Sequence, residues 1–236
     1  NTSKIKKSVI NKLPQSHKYK SHPFILSQIS NGFGHEEMRQ SYLWMSPFSS
    51  QERKQLFSCA GSLDTVFGEV DRVMKNINNY GEMDMVTKLQ TNFLSFYLPD
   101  DILTKVDRSS MYNSLEVRSP YLSSEFVRTA ISLRSDLKLN RMTTKYILRK
   151  LALRYLPYNI VYKKKHGFAP PIARLLQGGL REQVEYVLRD RNNTMATMFN
   201  MDYIENILKE HMLGTYDHRK KIWSLFVLFS MDKKFI

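Results

Sequence analysis

Residues 97–122 read "YLPDDILTKVDRSSMYNSLEVRSPYL", and within them four acids (Asp100, Asp101, Asp107, Glu116) interleave with three bases (Lys105, Arg108, Arg118). Asp101, Lys105 and Arg108 are spaced four and three apart, so a helix stacks all three on one face. There they either solvate that face or build a site in which fixed charges hold a charged substrate. A second candidate is the run "PYNIVYKKKHGFAPPIARLL", residues 157–176. Pro157, Gly167, Pro170 and Pro171 forbid a continuous helix across it, and Pro171 can open the next one. Lys163, Lys164 and Lys165 therefore fall on a loop. A loop held between helices can aim a cation at a ligand, and a solvated charge run is the alternative.

Other chemistries find no support in the residues. The six histidines (His17, His22, His35, His166, His211, His218) show no HExxH, no metal spacing and no nucleophile elbow. No GxxxxGK[ST] or GxGxxG turn wraps a phosphate, so a complete nucleotide site is not expected within this chain, nor is a metal site. A single cysteine, Cys59, excludes an internal disulfide framework and any CxxC site; it reads as a buried thiol in a reducing, cytoplasmic setting.

These residues must be positioned by helices. Apolar residues recur at helical spacing in "EEMRQSYLWM", "LDTVFGEVDRVMKNI", "MDMVTKLQTNFLSFYL", "SSEFVRTAISLR", "TTKYILRKLALRYL", "PIARLLQGGLREQVEYVLRD" and "MDYIENILKEHML", with a last helix from about His218. Few windows alternate with period two. The expectation is an all-α, irregular multi-helix fold, one helical domain over residues 1–236. Capping residues are expected at Ser62 or Asp64 and around Gly81, and Pro99 is expected to break or restart a long helix over Glu82–Ser114.

The 42% hydrophobic content is enough to fill a core. The apolar run Ile222–Met231 has about half the length a bilayer span requires, so no membrane role is expected. Residues 1–34 carry six lysines and no acid, which reads as a mobile or partner-contacting lead segment. The first residue is Asn1 and no signal-peptide pattern follows, so the chain reads as cut from something longer. A net charge of +14, from 36 Lys and Arg against 22 Asp and Glu, favours anionic ligands or partners without choosing among them.

Four motifs in fixed order carry a resemblance: "YLPDDILTKVDRSSM", "SLEVRSPYL", "TTKYILRK" and "KKKHGFAPPI". Together they are similar to the synthetase domain of glutamine-hydrolysing asparagine synthetases and relatives such as the β-lactam synthetases, whose usual forms are "SLEARVPFLD", "GKxxLR" and "KxGFxxPI". In that family an N-terminal glutaminase domain releases ammonia, and a synthetase domain adenylates a carboxylate with ATP and Mg²⁺ before ammonia displaces AMP. The family's SGGxDS pyrophosphate loop and GDGGDE-like segment lie upstream of the matched region and are not in this sequence.

The resemblance implies the helical C-terminal part of an ATP-pyrophosphatase-type (adenine nucleotide α hydrolase-like) α/β synthetase domain. Its partners would be the glutaminase domain and the nucleotide-binding sheet, its ligands small molecules. Alone, the chain is expected to be inactive, to bind neither ATP nor Mg²⁺, and to self-associate through an apolar docking surface.

Carried over by position, Lys165 matches the lysine that approaches the α-phosphate and pyrophosphate. Lys105 matches a basic residue near the substrate, with Asp101 or Asp100 as the neighbouring carboxylate; Lys105 and Lys165 are expected to share one surface. Arg108 and Lys145 are candidates for substrate or phosphate contact, and Lys145 with Arg149 for bracing the motif. Glu116 and Arg118 read as structural, bracing a turn, and His166 as a spectator.

The chain departs from the family where "VPFLD" reads "SPYLS", with Ser119, Tyr121 and Ser123 replacing Val, Phe and Asp. That puts the amidated acid in question: aspartate, or a sugar or secondary-metabolite acid. A competing class is a basic helical module binding nucleic acid or acidic partners. The mixing of acids with bases in the best motif, and the lack of a DNA-reading helix pattern, argue against it.

Overall fold

Ser49 and Asp84 each start a helix by the same device, a side-chain oxygen that accepts from backbone N–H groups of the first turn. The computed structural model describes residues 37–58, 83–164 and 170–232, together with helical positions 68, 72 and 75. The lead segment, Cys59, Ser62, Asp64, Gly81 and the loop residues 165–169 lie outside the described residues. The chain divides into two units, one joining residues 1–64 to 167–236 and the other spanning 65–166.

The first unit contains α1 (Glu37–Met45) and α2 (Ser50–Leu56), then, from the distant part of the chain, α9 to α12. These are α9 (Ile172–Gln177), α10 (Arg181–Leu188), α11 (Met201–Met212) and α12 (Arg219–Asp232), with a 3₁₀ turn at Thr194–Met198. The segment "PIARLLQGGLREQVEYVLRD" thus forms two helices, separated at Gly178–Gly179. Their apolar faces close one core in which Leu176, Val184, Leu208, Ile222 and Phe229 are wholly buried. Burying such side chains is worth roughly 1.5–3 kcal/mol each, so this core supplies the unit's stability.

Asn193 is a polar residue taken into that core together with its partners. Asn193 accepts from Met195 N at 3.0 Å and donates to the carbonyl of Phe229 at 2.9 Å, joining the 3₁₀ turn to α12. An isolated antiparallel bridge, Phe57 with Phe199, ties the end of α2 to the far segment, and the two rings pack 4.9 Å apart.

The second unit opens on α3 (Met85–Asn92), continues as a π-helical stretch at Phe93–Leu103 and ends as α4 (Thr104–Tyr112). Pro99 lies inside this uninterrupted run and does not break it, contrary to the sequence expectation. The wider π-helical turn accommodates the ring and the missing donor, and Thr104 Oγ1 donates to the Pro99 carbonyl at 2.8 Å.

A 3₁₀ turn (Pro120–Leu122) leads into α5 (Ser124–Ser132) and α6 (Ser135–Lys138). Then come β1 (Leu139–Asn140) paired antiparallel with β2 (Thr143–Thr144), α7 (Tyr146–Ala152) and α8 (Tyr158–Val161). The described residues are thus mostly helical, with one two-residue hairpin that "TTKYILRKLALRYL" did not announce. Ser135 Oγ donates to Asp84 Oδ1 at 2.5 Å, which fastens α6 to the start of α3. Among the described residues of this unit only Asn92 is buried, while Val117, Tyr121, Leu151, Tyr155 and Leu156 stand exposed.

Candidate active site

The long helical run positions the first candidates. Lys105 Nζ lies 3.0 Å from Asp101 Oδ1, an i to i+4 pair across the junction of the π-helical stretch and α4. Of the three residues expected to share one face, Asp101 and Lys105 are paired on it. Their side chains remain 43% and 65% exposed, so the pair is open to solvent and to a ligand. Asp100, Asp107 and Arg108 are exposed on the same run.

Beyond α4 the chain turns at Ser114, whose φ of 54° is in the left-handed region, and enters "LEVRSPY", exposed throughout. Arg118 Nε donates to Glu116 Oε1 at 2.5 Å, with the two side chains 87% and 68% exposed. A pair that open contributes about 0–1 kcal/mol, so it does little to hold the turn. Tyr121 and Phe126 pack edge to face at 4.9 Å and anchor the 3₁₀ turn onto α5.

The third motif folds as hairpin plus helix. Lys145 has φ 56° and ψ 38° at the start of α7, a left-handed conformation costing a non-glycine residue roughly 1–2 kcal/mol. Arg149, one turn later, donates through Nε to the Thr144 carbonyl at 3.0 Å and through Nη1 to the Val161 carbonyl at 2.7 Å. Its guanidinium also lies 5.1 Å from the centroid of the Tyr162 ring, which stacks on Tyr158 at 4.5 Å. Lys163 and Lys164 follow directly and are exposed. Lys165 and His166 lie outside the described residues, as does the expected sharing of one surface by Lys105 and Lys165.

A shallow cleft of about 610 Å³ in the first unit, lined by Lys54, Phe57, Arg191, Phe199 and Asp202 among others, contains none of the motif residues.

Sequence reasoning passed over a buried ionic cluster in the first unit. Lys221 Nζ pairs with Glu52 Oε1 at 2.9 Å and His218 Nε2 with Glu210 Oε2 at 2.5 Å. His218 N also donates to His211 Nδ1 at 3.3 Å, and Arg219 pairs with Asp217. Burial pushes the Glu52 carboxyl up, but Lys221 and the Ser49 cap outweigh it and hold its pKa at about 2. Burial, reinforced by the charge on Lys221, keeps the His218 imidazole below its ordinary value against the pull of Glu210. No spacing rule would have found this cluster, because Glu52 and Lys221 stand 169 positions apart.

Among the described residues, no helix is long and apolar enough to cross a membrane, and no group of His, Cys, Asp or Glu is arranged to hold a metal ion.

A family model described as asparagine synthase matches residues 11–233, and the chain belongs to that family. It is 31% identical over 142 residues to "Asparagine synthetase [glutamine-hydrolyzing] 1" of Bacillus subtilis, covering 60% of this chain and 22% of the relative. A Mycobacterium bovis protein, provisionally named a glutamine-hydrolysing asparagine synthetase, is 32% identical over 145 residues, covering 61% and 22%. "Asparagine synthetase [glutamine-hydrolyzing] 3" of Bacillus subtilis is 26% identical over 109 residues, covering 46% and 18%. The chain spans about a fifth of the length of these relatives. No solved structure matches it at the same level of significance.

Proposed function

We propose that this chain is the helical, motif-bearing part of an ATP-dependent amidotransferase, the C-terminal part of an ATP-pyrophosphatase-type synthetase domain. In this reading an acid substrate, with aspartate as first candidate, attacks the α-phosphorus of ATP, and the bond to pyrophosphate breaks. Ammonia released from glutamine elsewhere in the protein then attacks the acyl carbon and expels AMP, leaving the amide. ATP and Mg²⁺ would be held largely by the nucleotide-binding sheet and acidic segment that the relatives' greater length leaves room for. Asp101 and Lys105 would orient the acid, and Arg108, Asp100 and Lys145 would contribute substrate or phosphate contacts.

Lys165 would stabilise the charge that moves onto pyrophosphate, because a fixed ammonium favours the leaving group more than it favours bound ATP. The single observation that carries the reading is that the motif segment 97–122 is presented in the open, its acid–base pair intact, on a unit whose large apolar residues are left uncovered. A self-sufficient unit would bury those residues; one that docks on further chain would not.

The test is pyrophosphate release measured beside glutamine hydrolysis in the full-length protein. Lys165→Ala should reduce acyl-adenylate formation by at least about a hundredfold and leave glutaminase activity largely intact, while Lys164→Ala costs much less. Equal losses in the two variants would reduce the loop to diffuse charge and remove Lys165 from the mechanism. Tight duplex DNA binding that falls steeply with salt would favour the basic binding module instead.

A further inference from the structure

Arg149 makes more directed contacts than any lysine around it. One guanidinium reaches two backbone carbonyls on different segments, Thr144 at the end of the hairpin and Val161 at the end of α8, and lies against the Tyr162 ring. The first carbonyl immediately precedes Lys145, and the second is followed, after Tyr162, by Lys163 and Lys164. We infer that Arg149 is a positioning residue, holding the left-handed turn at Lys145 and the first lysines after α8, Lys163 and Lys164, in one arrangement.

Geometry makes arginine necessary for this. Its donors diverge in a rigid plane, so Nε and Nη1 can satisfy carbonyls in two directions while the flat face packs on an aromatic ring. A lysine ammonium at the same place is a point donor on a flexible stem and cannot hold both segments. The Tyr158–Tyr162 stack backs the guanidinium from the α8 side, so the point where the chain leaves helix for basic loop is fixed by one side chain and two rings. The turn at Lys145 is the complementary end: its backbone is in a conformation a lysine adopts only when neighbours impose it, and the Thr144 carbonyl bond is one of those constraints. The clamp thus sets the point from which the chain enters the basic loop at Lys163 and Lys164, and its bearing on pyrophosphate release rests on the synthetase reading above.

The experiment compares Arg149→Gln and Arg149→Lys with the unaltered chain by native-state trypsin digestion, mapping cleavage sites by mass spectrometry. In the glutamine variant, cleavage after Lys163 and Lys164 should accelerate by at least about tenfold, because cleavage follows the population of the locally opened segment, while cleavage after Arg181 and Arg189 stays unchanged. The lysine variant should fall between, since it keeps the charge and loses the fork.

In the full-length protein, the glutamine variant should lose at least about tenfold in kcat for pyrophosphate release, with KM for the acid substrate little changed, the pattern of a lost transition-state interaction. Unchanged cleavage at the run, or equal acceleration at all four sites, would overturn the clamp. An unchanged kcat in a variant whose run has loosened would overturn the clamp's bearing on pyrophosphate release. If the unaltered protein forms no acyl-adenylate with any acid, the proposed function fails, and the digestion alone still decides the clamp.

Discussion

The ammonium of Lys221 on α12 lies 2.9 Å from the Glu52 carboxylate on α2, in a position where both side chains are largely buried. The same carboxylate, through its other oxygen, accepts from Ser49 N at 2.8 Å and completes the capping box of α2. One side chain thus closes a helix start and joins it to the end of the chain.

This pairing sets a signed pH dependence. The folded pKa of Glu52 is about 2, below its ordinary value of 4.5, so between those limits the unfolded chain binds more protons than the folded one. The stabilisation is fully present above about pH 4.5, and some 2–3 kcal/mol of it is lost as pH falls towards 2. In urea titrations, the stability difference between the unaltered chain and Glu52→Gln should shrink over that range. A difference that stays constant from pH 6 to pH 2.5 would remove the pair from the account. His218, also held below its ordinary value, faces Glu210, Lys221, Glu52 and His211. Its contribution is present above about pH 6.5 and is lost as pH falls below it, so His218→Gln should flatten the curve just below about pH 6.5.

Lys105 separates stability from chemistry. Its pair with Asp101 is exposed, and such pairs contribute about 0.2–1 kcal/mol, so Lys105→Ala should change the unfolding free energy by no more than that. In the full-length protein the same substitution should lower pyrophosphate release by at least about tenfold if the ammonium orients the acid. A stability loss with unchanged pyrophosphate release would return the pair to surface solvation.

The uncovered apolar residues of the second unit predict association. Leu151 and Leu156 are each about half exposed, at 48%, and Tyr155 between them in the chain is exposed too. The chain by itself should show a concentration-dependent mass in light scattering, and the double substitution Leu151→Glu, Leu156→Glu should shift it towards monomer with little change in helix content. A strictly monomeric chain that binds no apolar dye would argue that this surface needs no cover.

Much of the fold was legible because helices announce themselves locally. The i, i+4 spacing of Asp101 and Lys105 and the apolar periodicities are properties of a few consecutive residues, and the structure places helices where they predict them at α1, α3, α11 and α12. Pro99 was misread because its effect depends on how the surrounding turn is wound: the same ring that breaks an α-helix fits a π-helical one.

Family membership was likewise legible in the order of four short motifs, since motif residues are neighbours in the chain. The arrangement of charge inside the molecule was not. Glu52 with Lys221, Asn193 with Phe229 and Arg149 with Val161 meet only after folding. Periodicity assigns each of these residues to a helix, a cap or a solvated face, and nothing local names its partner. Sequence alone determined which helices form and which family they serve; the tertiary structure decided which charges are buried, because desolvation and pairing act on distances that no spacing along the chain encodes.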